Sequence, residues 1–155
     1  MKNILFVIFF FSAINTFAQN DDYVFQRDFM KVFKYPEFYR NSCNPTFANL
    51  LIEVSEKGTI SDILISDSAP GFFKEEFNKI KGSINKAPLD SIIVEKKLKG
   101  CDIIIPVFYV YQSDWCVNSF NEFIPNNYLL FNGKEIDVLA YNLKPIFLNM
   151  YKPVR

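Results

Sequence analysis

The sequence contains no histidine. This absence excludes Ser-His-Asp and Cys-His activation of a nucleophile, and it removes the imidazole ligand that most zinc and copper sites use. The acidic residues Asp62, Asp67, Asp90, Asp102 and Asp114 are scattered. No spacing among them selects a carboxylate pair for acid–base chemistry or an Asp-x-Asp calcium loop. We therefore expect no enzyme, no cofactor and no metal site.

Charge of one sign is not in excess either. The 17 basic residues balance the 17 acidic residues of the 155-residue chain. A basic surface for nucleic acid or for an anionic membrane is therefore not expected. After the first eighteen residues, no stretch is long and apolar enough to cross a membrane, and the length suits a single domain with one core.

Residues 1–18 have the features of an export signal. Lys2 supplies a positive charge, Ile4–Phe11 is an uninterrupted apolar run, and small residues stand at Thr16 and Ala18. An uncleaved anchor is the alternative, but a membrane span needs roughly 20 residues and this stretch is shorter. We predict cleavage after Ala18 and no stable membrane insertion afterwards, with the periplasm as the expected compartment and secretion as the alternative.

The first half of the remaining chain predicts short helical pieces and then a hairpin. Asn20–Arg27 is a polar leader, apolar spacing over Asp28–Lys34 predicts a helical turn or two, and Pro36 suits the start of another short helix. Alternation over Phe47–Val54 is typical of a strand. A turn containing Gly58 then leads into a returning strand, Thr59–Ser66, with a bulge at Ser61–Asp62.

A helix is predicted next, over Ser68–Lys81. Phe73, Phe77 and Ile80 form one apolar stripe at helical spacing, and Ser68 or Asp67 is available as the N-cap. Gly82 is expected to end the helix.

The second half begins with a mixed connector, Ser83–Gly100, and a strand, Asp102–Tyr111. Pro106 cannot donate to a ladder, which predicts a position at the sheet edge. Asn-Gly within Leu129–Ile136 predicts a second hairpin. Ile146–Tyr151 predicts a final strand, which would either extend the first sheet or fold over it.

Four of these segments carry a family resemblance. Tyr35-Pro36, the strand–turn–strand Leu51–Ser68 and Ile105-Pro106-Val107 resemble motifs of the C-terminal domain of TonB-type energy transducers, and Ala87-Pro88 weakly resembles its connector. The match covers about half of the chain. It identifies a divergent, stand-alone, exported relative.

The resemblance implies an α+β fold, a small antiparallel β-sheet with helices packed on one face. Residues 19–116 would form this domain, and residues 117–155 a C-terminal extension. It also implies a module that binds a protein or peptide, such as a segment of an outer-membrane transporter, by addition to an edge strand. The alternative is a structural or accessory protein of the cell envelope whose sheet edge is covered by the tail.

The implied binding strand contains the candidate partner-binding residues. They are Ile105, Val107, Tyr109, Tyr111 and Trp115. Aromatic side chains with a polar atom are frequent anchors at interfaces. A place in the core is the alternative for Tyr109, Tyr111 and Trp115.

The family's strand arrangement also implies a disulfide between Cys43 and Cys116, because it brings the start of the first strand beside the end of the last. Cys101 would lie at the opposite end of the sheet. In the chain-entropy model a loop of this length adds roughly 3–4 kcal/mol to stability. We expect a non-reducing peptide map of the oxidised protein to link Cys43 to Cys116. A link from Cys101 to either cysteine would refute the implied strand arrangement.

Overall fold

The computed structural model describes residues 21–34, 46–112, 127–136 and 140–151. These residues form an α+β fold of three α-helices and a mixed sheet. In chain order the elements are α1 (Asp21–Val32), β1 (Thr46–Val54), β2 (Ile60–Ile65), α2 (Gly71–Ile80), a 3₁₀ turn (Lys81–Ser83), α3 (Ala87–Lys96), β3 (Ile103–Gln112), β4 (Leu130–Phe131), β5 (Lys134–Glu135), β6 (Tyr141–Asn142) and β7 (Ile146–Tyr151).

Helix α1 is longer than the predicted turn. The leader predicted over Asn20–Arg27 is wrong from Asp21 onward, because Phe25 and Phe29 lie one helical turn apart and are both buried. Phe33 continues this aromatic stripe after the helix ends, with its ring centroid 5.5 Å from that of Phe29. The short helix predicted at Pro36 lies outside the described residues.

The hairpin of β1 and β2 confirms the predicted strands and turn. The two strands pair antiparallel, and Gly58 in the turn takes a φ of 76°. Glu53 pairs with Asp62 while Val54 pairs with Ile60, so Ser61 is the extra residue of a bulge. This is the bulge that the alternation of apolar residues predicts.

Helix α2 confirms the predicted stripe but not the predicted cap. Phe73, Phe77 and Ile80 are buried. The N-cap position is Pro70, which makes no side-chain cap. The assignment of Asp67 or Ser68 as the cap is therefore wrong. The helix also does not stop at Gly82, because a 3₁₀ turn continues through it.

Helix α3 replaces most of the predicted connector. Leu89, Ile92 and Ile93 are buried at the spacing of one helical face. Pro88 lies in the first turn, where its missing N–H costs nothing. Lys97 ends the helix in the left-handed conformation at a φ of 57°.

The sheet places β3 in its interior. The strand order is β2-β1-β3-β6. Strand β7 lies on the same side of β3 as β6 and pairs with the later part of β3. Strands β1 and β2, and β1 and β3, are antiparallel, whereas β6 and β7 are parallel to β3. The prediction of a purely antiparallel sheet with β3 at its edge is therefore wrong. Strands β6 and β7 extend the first sheet, which is one of the two arrangements expected for Ile146–Tyr151.

Backbone hydrogen bonds show which β3 residues face the tail. The carbonyl oxygens of Asp102 and Ile104 accept the N–H groups of Tyr141 and Leu143 at 2.7 Å and 2.9 Å. Successive strand residues direct their backbone groups to opposite sides, so even-numbered β3 residues face β6 and β7. The missing N–H of Pro106 is therefore on the β6–β7 side.

The strands β6 and β7 are separated by an interruption. It lies at the point where a residue with an N–H at position 106 would need an acceptor. Ile104 pairs with Asn142 and Val107 with Ile146, so Leu143–Pro145 replace regular ladder pairs at this point. The Lys144 carbonyl oxygen lies in the interruption and accepts a hydrogen bond from Gln26 Nε2 of α1 at 3.4 Å. A proline is thus tolerated in an interior strand because its neighbour is not a continuous strand there.

All three helices pack on one face of the sheet. The main core joins them to the alternate residues of the strands that point to that face: Ala48, Leu50, Ile52, Val54, Ile63, Ile103, Ile105, Val107, Tyr109, Ile146 and Leu148. A small cluster on the second face contains Leu51, Ile104 and Phe131, so the β4–β5 hairpin packs there. The expectation of helices on one face is confirmed.

A hydrogen-bond network centred on Asp28 joins α1 to the start of α3. Its Oδ1 accepts from Arg27 Nε and Lys31 Nζ, both at 3.1 Å, and its Oδ2 accepts from Asn85 Nδ2 at 3.0 Å. Asn85 Oδ1 in turn accepts the N–H of Ala87, the first residue of α3. The hydrogen bond from Asn85 and those from the two cations lower the pKa of Asp28 from 3.8 to about 2.

This pKa predicts a loss of stability in acid. Because the folded pKa of Asp28 lies below 3.8, its stabilisation is complete above that pH and is lost as the pH falls toward 2. An NMR titration of the Asp28 carboxyl carbon should give its midpoint near 2, and Asn85→Ala should raise the midpoint. Asn78→Ala, on the exposed side of α2, is the matched control and should not change it. A wild-type midpoint at 3.8 would contradict this prediction.

Candidate functional site

The predicted partner-binding residues of β3 lie in the core. Ile105, Val107 and Tyr109 are at most 1% exposed, on the face that the helices cover. The side chains of Tyr111 and Trp115 lie outside the described residues, so their role in partner binding stays a prediction. A partner cannot add to β3 as the structure stands, because β1 and the tail strands occupy its two sides.

The predicted disulfide also lies outside the described residues, since neither Cys43 nor Cys116 is among them. The strand arrangement on which it depends is present. Thr46 at the start of β1 pairs with Tyr109 near the end of β3. Cys101 is half-buried just before the opposite end of β3. The pairing therefore remains the prediction made from the family's arrangement.

An aromatic row, defined as Phe47, Phe108 and Phe147, crosses the second face of the sheet. It joins β1, β3 and β7, with ring centroids 4.9 Å apart for Phe47 and Phe108 and 5.3 Å apart for Phe108 and Phe147. The Phe108 and Phe147 rings are stacked, with 15° between their planes. Tyr128 packs beside Phe47 at 6.1 Å. The row ends at Phe147, which is 50% exposed.

Sequence reasoning did not select this row as a site. The available signal was alternation: Phe47, Phe108 and Phe147 each alternate with residues that enter the core. Their common face became predictable only once β7 was known to lie beside β3. That pairing joins segments distant in the chain, and the sequence pattern left it open.

A buried polar network lies beside the aromatic row. Asn49 and Ser66 are the buried polar residues of the described chain. Ser66 Oγ accepts the Asn49 N–H at 2.9 Å, and Asn49 Nδ2 donates to the Tyr128 carbonyl oxygen at 2.8 Å. Asn49 therefore fixes the segment that leads into β4 against the sheet.

Asp67 holds the β4–β5 hairpin on the second face. Its two carboxylate oxygens accept the N–H groups of Asn132 at 3.2 Å and Gly133 at 2.7 Å. Its own N–H donates to the Leu130 carbonyl oxygen at 2.7 Å. Asn132 and Gly133 have φ values of 52° and 73°, as a tight Asn-Gly hairpin turn requires. The predicted hairpin is confirmed, and Asp67 serves its turn rather than a helix cap.

A metal site and a membrane span are both absent from the described residues. Across residues 21–34, 46–112, 127–136 and 140–151, no group of three or more Cys, Asp or Glu side chains is placed to hold a metal ion. In the same part of the chain, no helix has the length and apolar character of a membrane span. The site that the geometry does assemble is the aromatic row together with the β7 strand.

Comparisons of the chain with protein-family models, with curated proteins and with solved structures found no match.

The contacts of Asp67 predict a local effect of its removal. Asp67→Ala should free the N–H groups of Asn132 and Gly133 and loosen the hairpin, at a cost of about 1 kcal/mol. Amide hydrogen exchange should become faster at residues 130–136 and stay unchanged in β1. Asp90→Ala, at an exposed position of α3, is the control. Unchanged exchange in the hairpin would refute this role of Asp67.

Proposed function

We propose that this chain is an exported accessory domain of the cell envelope, resembling a TonB C-terminal domain in which the chain's own tail closes the β3 edge. The observation that carries the proposal is the pairing of β7 with β3. This pairing runs without interruption from Ile146 to Tyr151. It favours the structural alternative over peptide capture at β3.

The tail strand is part of the folded core. Ile146 is fully buried and Leu148 is 9% exposed. Burying one aliphatic side chain contributes roughly 1.5–3 kcal/mol. A peptide that replaced β7 would have to supply the same burial, and it would compete with a strand tethered to the same chain at high effective concentration. Displacement by a short segment is therefore unfavourable.

The proposal also includes export of the chain and a function without catalysis. The charge and apolar run of residues 1–18 support export, with the periplasm as the destination. The lack of histidine supports an accessory role, because an enzyme in this chain would have to work with carboxylates, Tyr or Lys.

A protein- or peptide-binding module is the second candidate. The half-exposed ring of Phe147 at the end of the aromatic row favours it, because aromatic residues are enriched at interfaces. In this candidate the partner, such as a segment of an outer-membrane transporter, would contact the tail side of the sheet and not β3 itself.

Exchange of the β3 amides distinguishes a closed edge from an open one. Phe108 and Val110 direct their N–H groups toward β7, as the even-numbered residues of β3 do. We expect these two amides to exchange slowly in the full chain. Because Phe108 pairs with Phe147, the residues flanking Phe147 direct their backbone groups toward β3. Leu148→Pro should therefore accelerate exchange at Phe108 and Val110.

Asn149→Pro is the matched control for this experiment. Its backbone groups point away from β3, so the substitution should leave the exchange of Phe108 and Val110 unchanged in samples dilute enough for the protein to be monomeric. Rapid exchange of these amides in the unaltered protein would mean that the edge is open. That result would overturn the proposed closure and favour peptide binding at β3.

A further inference from the structure

The described sheet ends in β2 on one side and in β6 and β7 on the other, and the β2 and β7 edges differ in how they meet solvent. On β2 the N–H of Ile63 points outward and is accepted by Asp62 Oδ1 at 2.8 Å. Lys81 Nζ lies 2.6 Å from the same carboxylate. The bulge at Ser61 bends the strand next to this pair. A bulge and charged side chains are features by which proteins protect an edge from pairing with other chains.

Within β7 itself these features do not occur, and the nearest lysine and proline residues are Lys144-Pro145 before the strand and Lys152-Pro153 after it. Ile146–Tyr151 contains no charged residue, and its register with β3 is regular over its whole length. Phe147 and Asn149 direct their backbone groups outward, and no strand of the described residues pairs with that side. The Phe147 ring is half-exposed at the same place. An uncharged and regular edge strand is a template on which another chain can pair.

We propose that this edge pairs with β7 of a second copy of the chain, antiparallel about a two-fold axis. A two-fold axis perpendicular to the sheet brings identical edges together in antiparallel orientation. The uncharged β7 meets its own copy without opposing like charges, whereas on β2 the Asp62–Lys81 ion pair and the bulge at Ser61 hinder such pairing. The inference rests on the proposed closure of β3, because β7 must lie in the sheet to offer its outer side.

The geometry of such a dimer accounts for the exposed ring. The axis would keep both helical layers on one side of a continuous sheet and both second faces on the other. Phe147 would then lie at the seam between the joined sheets, where an aromatic ring can pack against a cross-strand neighbour. The aromatic row would continue from one protomer into its partner.

Sedimentation equilibrium of the purified protein, with reductant present to exclude disulfide-linked species, tests the proposal. We expect a monomer–dimer equilibrium with a dissociation constant on the order of 10 μM or tighter. Phe147→Lys places a charge at the edge, and Asn149→Pro removes an outward N–H; each should weaken dimerisation at least tenfold. Ser61→Lys, on the protected β2 edge, is the control and should leave the equilibrium unchanged.

Two results would overturn the dimer. One is a protein that stays monomeric up to about 100 μM, well above the expected dissociation constant. The other is a dimer that persists in both edge variants while their far-UV circular dichroism is native. Slow exchange of Phe108 and Val110 in a monomeric protein would remove this inference and leave the proposed closure of β3 intact. Rapid exchange would remove both.

Discussion

The missing N–H of Pro106 is the constraint around which this sheet is arranged. An interior strand needs acceptors and donors on both sides, and Pro106 withdraws one donor on the side that faces the tail. The tail strand is interrupted at that point by Leu143–Pro145. Gln26 of α1 then donates to the Lys144 carbonyl oxygen, which lies in the interruption. One proline thus links the layout of β3 to the division of the tail into β6 and β7, and α1 contacts the tail at the interruption.

The local parts of the fold were predictable from the sequence because their signals are short-range. Alternation, Gly58 and the break at Ser61 define the first hairpin, and Asn132-Gly133 defines the second. The stripe of Phe73 and Phe77 defines α2. In each case the residues that determine the element are neighbours along the chain. Contacts between distant parts of the chain therefore did not change these elements.

The errors have a common physical origin in contacts that the local pattern does not contain. Helix α3 was missed because a basic stretch follows Leu89–Ile93, although those apolar residues fit one helical face. Pro106 was interpreted as an edge signal because proline usually lies at edges. Proline removes only one backbone donor, however. An interior strand can therefore contain a proline where the neighbouring strand is interrupted and offers no ladder acceptor. The candidate site was unpredictable for the same reason, since the aromatic row exists only through the non-local pairing of β7 with β3.

The position of β7 couples any binding at the sheet edge to the stability of the fold. The strand contributes Ile146 and Leu148 to the helical core and Phe147 to the second face. A partner that pairs with its outer side binds only the docked form of the tail, so it stabilises the closed β3 edge by mass action. A partner that requires β3 itself acts in the opposite direction, because it must first release those buried side chains. Recognition along β7 is therefore compatible with the folded core, whereas recognition along β3 competes with it.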